Sequence, residues 1–405
     1  MIHMQQNLNN LKEYSINYCV GNIDILSQMA QVPAMPMYSE QVVDFFSKLS
    51  IKLLKDKRTK KYPDILSYAF WIRRSSLEQE REKHLSWRDR IGRGVTFHIA
   101  PSNVPVNFVV SMTSAMLAGN ACVIRISNKE FPQVGIVCDN IKQLLEDEFY
   151  DLKQYICIVR YEHNDDINQV ISDMCDVRII WGGNHTISQI RKTTLPPRSI
   201  EMAFADRYSI AVIDANFYLE QDLVKVAKDF YTDTYYSDQN ACSSPRMVIW
   251  LGEKKIEARK KFWSKLEEIV VNEYEMKPIQ AVDKFDSFCL LAANMEGVKL
   301  VGENNIVQRV EVPQLTPEIM EYKNGGGYFF EYEANELEEI VPMLSKSCQT
   351  IAYLGVEKER IQNIVRINGV RGVDRIMPVG KTMELQFVWD GYDMIETMSR
   401  VIKVE

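Results

Sequence analysis

The 405-residue chain has no apolar run approaching the roughly 20 residues that span a bilayer. It does not open on a basic stretch followed by an apolar one, so no secretory leader is expected. Its eight cysteines (Cys19, Cys122, Cys138, Cys157, Cys175, Cys242, Cys289 and Cys348) stand singly. Without a CxxC or a Cys/His pairing, no metal site is expected, and scattered thiols suit a reduced, cytoplasmic protein. Two phosphate-binding signatures, GxGxxG and the Walker A loop, are missing. Internal repeats and low-complexity segments are missing too. There is no excess of basic charge: the net charge of -7 weighs against a nucleic-acid partner.

What is present reads as an ordinary globular chain. Hydrophobic residues at 46% and charged residues at 25% provide core and surface for two domains. The first 38 residues are irregular, with Pro33 and Pro36 in a Met-rich patch, and read as an arm or a wrapped extension. From Ser39 a helical face follows: Val42, Phe45, Phe46, Leu49 and Leu53. Pro63 suits the first turn of a second helix running to about residue 82.

At Arg93 the period changes. Residues 94–100 read as a strand, 106–117 as a helix closed by Gly119, and 121–126 as a strand. Helix 132–145, strand 155–159, helix 166–173, strand 177–180 and a helix to about residue 191 follow. This alternation predicts parallel β-α-β units in a doubly wound sheet. Such sheets bind ligands beyond the carboxyl ends of their strands, which selects the loops 100–105, 127–132 and 181–184. Gly182 and Gly183 would let backbone approach a phosphate at a helix start, although a glycine pair is also a common plain turn. The second half repeats the theme, with strands at 208–214, 247–251, 288–292, 298–301, 328–331 and 350–354. Helices are expected at 219–236, 254–273 and 336–346. Asn324-Gly325-Gly326-Gly327 reads as a flexible turn. His98, inside a strand, reads as a packed histidine.

One polar, small-residued stretch stands out: Asp238-Gln239-Asn240-Ala241-Cys242-Ser243-Ser244-Pro245-Arg246. A cysteine at the tip of a loop between a helix and an apolar strand is placed to be an exposed nucleophile. The residues alone leave a buried structural cysteine equally open.

Three separated motifs then converge. Gly94…His98-Ile99-Ala100-Pro101-Ser102-Asn103-Val104-Pro105, the Asn240-Ala241-Cys242-Ser243-Ser244-Pro245 loop, and Asp374-Arg375…Trp389-Asp390-Gly391-Tyr392-Asp393 keep their order along the chain. Together they resemble the LuxC-type acyl-CoA reductases, the fatty-acid reductases of bacterial luminescence operons, within the aldehyde dehydrogenase superfamily. The resemblance covers roughly residues 90–405. It implies an aldehyde dehydrogenase-like α/β fold of two doubly wound Rossmann-like domains with a small C-terminal, oligomerisation segment. The expected domains are 1–213 for helices and cofactor, 214–380 for the nucleophile, and 381–405 for the tail.

The resemblance also implies roles. Cys242 would attack an acyl thioester, and Asn103 with the Cys242 backbone N–H would hold the oxyanion. Arg246 would anchor the nucleophile loop. Ala100, Pro101, Ser102, Arg125, Ser127, Gly182 and Gly183 would bind the cofactor. Arg125 stands in place of the usual lysine, and Ser127-Asn128 replace the usual acidic residue, which favours NADPH. Glu201 falls near the glutamate with which oxidising relatives activate water, as acid/base or as a strand-end surface residue. Implied partners are fatty acyl-CoA or an acyl-carrying protein, an acyl-protein synthetase, and further copies of the chain. Two other readings remain: an NAD(P)-dependent aldehyde dehydrogenase working oxidatively, and a non-catalytic assembly subunit.

Overall fold

A computed structural model describes residues 11–302 and 304–405. The chain divides into two units: one runs up to Ala205 and includes Leu385–Glu405, and the other is Asp206–Glu384.

The first unit is built on a six-stranded sheet. In chain order its strands are β1 (Asn17–Val20), β3 (Val95–Ile99), β4 (Ala121–Arg125), β5 (Ile156–Arg160), β6 (Val177–Trp181) and β7 (Ile200–Phe204). A short strand β2 (Arg90–Gly92) pairs instead with Ser399–Val401 of the tail. The spatial order is β1-β5-β4-β3-β6-β7. All neighbours are parallel except β1, which runs antiparallel on β5. β3 and β6 are buried along their whole length, which is why they read as apolar runs rather than alternating ones. Succession runs outward from β3 to β5 on one side and from β6 to β7 on the other. The reversal between β3 and β6 opens a crevice at the carboxyl ends.

Two expectations change here. From Leu11 onward the supposed arm contains β1, an edge strand whose pairing with a segment 140 residues away has no local signal; residues 1–10 lie outside the described residues. The helix expected over 63–82 is two, Pro63–Trp71 and Arg74–Arg81. Arg73 turns to an extended conformation between them, and its Nε donates to the Phe70 carbonyl at 3.0 Å. The helix Glu40–Lys55 buries the five residues of its expected face.

The second unit carries a seven-stranded sheet ordered β10-β11-β12-β9-β8-β13-β14. Its strands are β8 (Tyr208–Asp214), β9 (Pro245–Leu251), β10 (Lys299–Val301), β11 (Gln308–Glu311), β12 (Tyr328–Glu333), β13 (Cys348–Leu354) and β14 (Arg375–Pro378). Only β10 is antiparallel to its neighbour. β8 sits between β9 and β13, so the chain divides before it, at 205/206 rather than 213/214. The tail from Leu385 belongs to the first unit, where Asp393 meets His84 at 3.0 Å. The strand expected at 288–292 is part of the helix Pro278–Asn294. Its short apolar run fits either element, and the Pro278 start decides for helix. Residues 337–343 form a 3-10 turn containing Pro342 rather than an α-helix. Among the described residues no helix is long and apolar enough to cross a membrane.

Candidate functional site

In the first unit, the loops at the carboxyl ends of β3, β4 and β6 line one cleft of about 540 Å³. Ala100, Pro101, Ser102, Asn103, Arg125, Ser127, Gly182 and Gly183 all lie on its wall. Parallel register brings them level, since Ile99 pairs with both Arg125 and Ile180. Asn103 is exposed on the loop that leads into the buried helix Asn107–Leu117. The Gly182 side faces Thr186, whose Cβ would lie 3.0 Å from any added Cβ.

The wall is stiffened from behind. Trp181 stacks on Phe204 with ring centroids 3.7 Å apart and donates its Nε1–H to Ser111 at 3.0 Å. Ser111 also meets His98 Nδ1 at 2.7 Å, and His98 Nε2 meets Thr96 Oγ1 at 2.8 Å. Burial pushes the His98 pKa down to about 3, so it is a neutral, packed histidine as expected.

Arg125 packs over the Tyr161 ring at 4.8 Å, and its Nη2 donates to the Tyr161 carbonyl at 3.4 Å. Its Nε is buried with no hydrogen-bond partner among the described residues. A cation with an orphaned donor on the wall of a cleft suits an anionic or ribose-bearing ligand. The sequence reading missed Glu162, which lines the same cleft from the end of β5. Its signal was available: it follows the strand next to β4 in a parallel sheet.

Glu201 is placed apart from these loops. It pairs with Arg178 in the β6–β7 register, whereas the ligand-facing ends are where Trp181 meets Phe204. Its Oε2 accepts from Arg178 at 2.8 and 2.5 Å, and its Oε1 from Arg191 at 2.7 Å. A carboxylate held by two guanidiniums at the wrong end of its strand is a structural anchor, and the acid/base expectation is corrected accordingly.

In the second unit, the stretch around Cys242 lies at the amino ends of β8, β9 and β12. Cys242 is reduced and half-buried, neither sealed in apolar packing nor fully exposed. Asp238 and Gln239 both take left-handed conformations, with φ of 52° and 59°. Two such non-glycine residues in succession are costly and need support. Gln239 supplies it. Fully buried, it donates to the carbonyls of Pro245 at 3.0 Å and Tyr328 at 3.1 Å, and accepts from Gly327 N–H at 3.0 Å and Tyr328 N–H at 3.2 Å. The Cys242 carbonyl accepts from Ser209 Oγ of β8 at 2.7 Å.

The triple-glycine segment is not the flexible turn expected. Gly326 N–H donates to the Asp238 carbonyl at 2.9 Å. A Cβ on Gly325 would come 2.8 Å from that carbonyl oxygen, and one on Gly327 would come 2.2 Å from the Ile306 oxygen. Gly325 lets this strand entry pack flush against the loop that carries Cys242, and Gly327 lets it pass the Ile306 carbonyl. Arg246, almost fully buried, donates to the Asn324 carbonyl of the same segment. Burial pushes the Arg246 pKa down to about 10, with the Cys242 charge opposing that shift. Arg246 therefore anchors the loop, as expected, and sets a positive charge beside Cys242.

Comparison with known proteins places this arrangement. A family model described as acyl-CoA reductase (LuxC) matches residues 16–311. The long-chain acyl-protein thioester reductase of Photobacterium phosphoreum is 27% identical over 40% of this chain and 32% of its own length. The Vibrio harveyi protein of the same name is 25% identical over 71% of this chain and 59% of its own length. The matched region thus spans between a third and three-fifths of these curated relatives. Among solved structures, an NAD-dependent benzaldehyde dehydrogenase from Corynebacterium glutamicum superposes with a TM-score of 0.63 at 13% identity, covering 93% of this chain and 86% of that one. An aldehyde dehydrogenase from Mycobacterium tuberculosis complexed with NAD+ gives 0.64 at 10% identity, over 93% and 87%. The fold is aldehyde dehydrogenase-like, and the chain belongs to the acyl-CoA reductase (LuxC) family.

Proposed function

We propose that this protein reduces a fatty acyl thioester to the aldehyde, with Cys242 as the nucleophile. The observation that carries the reading is the setting of Cys242. It is a half-buried thiol beside the Arg246 charge, on a loop whose backbone is fixed by Ser209, Gln239 and the glycine segment. A rigid loop presenting one accessible sulfur suits acyl transfer.

In the first step the Cys242 thiolate adds to the acyl carbonyl carbon, the bond to the donor sulfur breaks, and the donor leaves as its thiolate, which takes a proton from solvent. The Cys242 backbone N–H donates to the oxygen that becomes negative, an interaction typically worth about 3 kcal/mol of barrier, and an oxyanion donor is the role the family resemblance implies for Asn103. NADPH, when bound, supplies the hydride that reduces the thioacyl carbon. The resulting thiohemiacetal collapses, the carbon–sulfur bond breaks, and aldehyde and Cys242 are released. Ala100, Pro101, Ser102, Arg125, Ser127, Gly182 and Gly183 hold the dinucleotide in the first unit's cleft. The cleft's size, the close backbone at Gly182 and the orphaned Arg125 donor support that fit.

The donor is fatty acyl-CoA or an acyl-carrying protein, the latter suggested by the relatives' names. An acyl-protein synthetase would supply such a protein donor, the active form is a homo-oligomer, and the setting is the cytoplasm. The oxidative reading needs a base to activate water, and the double ion pair of Glu201 argues against it there. Glu162 favours one alternative within the reductase reading, since its carboxylate would accept from a free ribose hydroxyl and so suits NADH. Following NADPH and NADH oxidation with a series of acyl-CoA lengths tests the proposal. Cofactor oxidation with stoichiometric aldehyde is expected, and aldehyde oxidation alone would contradict it.

A further inference from the structure

Asp233, near the end of the helix Leu223–Thr234, is fully buried, and the chemistry above makes no use of it. Its carboxylate accepts two backbone bonds from a distant segment: from Gly380 N–H at 2.6 Å and from Thr382 N–H at 3.0 Å. The same segment is held through its carbonyls. Arg375 donates to Thr382 O at 3.0 Å and to Glu384 O at 3.3 Å. Gly380 has φ 89°, and a Cβ there would lie 2.7 Å from the Asp229 Cβ, so this backbone rests directly on the helix. Met383, the residue after Thr382, receives the Ser243 hydroxyl at its Sδ at 3.4 Å. Ser243 is the chain neighbour of Cys242.

We propose that Asp233 is a positioning residue for Cys242, fixing residues 380–383 so that Met383 supports Ser243 and thereby the nucleophile's backbone. The inference rests on the reading of Cys242 as an acylated nucleophile. Burying a carboxylate costs stability that an apolar contact would avoid, and here the charge is spent on two N–H groups of one loop. Burial pushes the Asp233 pKa up to about 7, against the pull of the Gly380 and Thr382 bonds. The charged groups facing it are Asp229 on its own helix, which raises it further, and Lys381 on the loop. As pH falls through this range the carboxylate takes up a proton and its hold on the two N–H groups weakens.

The test is the rate of single-turnover acylation of Cys242 by acyl-CoA, read by intact mass, for the wild type, Asp233→Asn and Met383→Ala. Dividing the wild-type rate by the Asp233→Asn rate cancels the ionisation of Cys242 itself. That ratio should be about tenfold at about pH 8 and approach unity at about pH 5.5, where both side chains are uncharged. Met383→Ala leaves Asp233 and its bonds in place and should be acylated about fivefold more slowly at every pH; it decides the matter if Asp233→Asn does not fold. A ratio near unity throughout, or a Met383→Ala protein acylated at the wild-type rate, overturns the inference while leaving the reductase reading intact. A wild type that takes up no acyl group overturns that reading and this inference with it.

Discussion

Ser209 donates its hydroxyl to the Cys242 carbonyl at 2.7 Å, so the first residues of β8 set the backbone of the loop that carries Cys242. Ser209 Oγ in turn accepts from Thr350 N–H of β13 at 3.2 Å. Ser209→Ala removes both bonds without opening a sizeable cavity. We expect Cys242 acylation to slow about fivefold, the equivalent of about 1 kcal/mol for one net hydrogen bond. Stopped-flow release of CoA measures it, and an unchanged rate would mean that the loop is set elsewhere.

Gln239 bears a larger load. Its four bonds are wholly buried, and Gln239→Ala leaves two donors and two acceptors without partners. We expect a loss of about 3 kcal/mol and a thermal midpoint lower by about 5–10 °C. Calorimetry checks this, and a shift of under about 1 °C would show the loop to be self-supporting.

His84 and Asp393 make stability pH-dependent. Burial lowers the His84 pKa, but the bond and charge of Asp393 outweigh it and hold it above its ordinary 6.5. Burial raises the Asp393 pKa, and His84 overcomes that to hold it below 3.8. A raised histidine stabilises fully below its unfolded pKa and loses this as pH rises through its folded one. A depressed aspartate stabilises fully above its unfolded pKa and loses this as pH falls through its folded one. The pair therefore contributes fully between pH 3.8 and 6.5 and fades above that window. His84→Gln should lower the midpoint inside the window and flatten its decline on the alkaline side. Thermal melts across pH measure this, and parallel curves for the two proteins would refute it.

Glu162 bears on the cofactor. A carboxylate on the cleft wall opposes a 2′-phosphate, and Arg125 attracts one. Glu162→Gln should raise the NADPH-to-NADH ratio of kcat/KM about tenfold, or about 1.4 kcal/mol. No change in that ratio would place the ribose away from this residue.

Much of this was legible along the chain. The apolar runs of β3, β4, β5 and β6 and the breakers after them located the loops that line the cleft, because buried parallel strands need no partner to declare themselves. The small, polar stretch around Cys242 stood out between a helix and an apolar strand, although the residues alone left a buried structural cysteine equally open. What supports it was not. Gln239 reads as an ordinary loop residue until Gly327 and Tyr328, far along the chain, supply its partners. The glycines at 325–327 looked like slack because the groups they approach, the carbonyls of Asp238 and Ile306 and the Gln280 side chain, are not their neighbours in sequence. Glu201 fell near the position of a family glutamate, but only the register of β7 on β6 shows which end of the sheet it occupies. The run at Phe288, Leu290 and Leu291 was ambiguous in period, and it was resolved only by the helix that contains it.

In the proposed reaction one thiol among eight carries the acyl group. Incubating the protein with a fatty acyl-CoA without reduced cofactor, then mapping the peptides by mass, tests it most directly. We predict one acyl adduct, on Cys242, absent from Cys242→Ala and discharged as aldehyde when NADPH is added. An adduct on any other cysteine, or undiminished labelling of Cys242→Ala, would contradict the account.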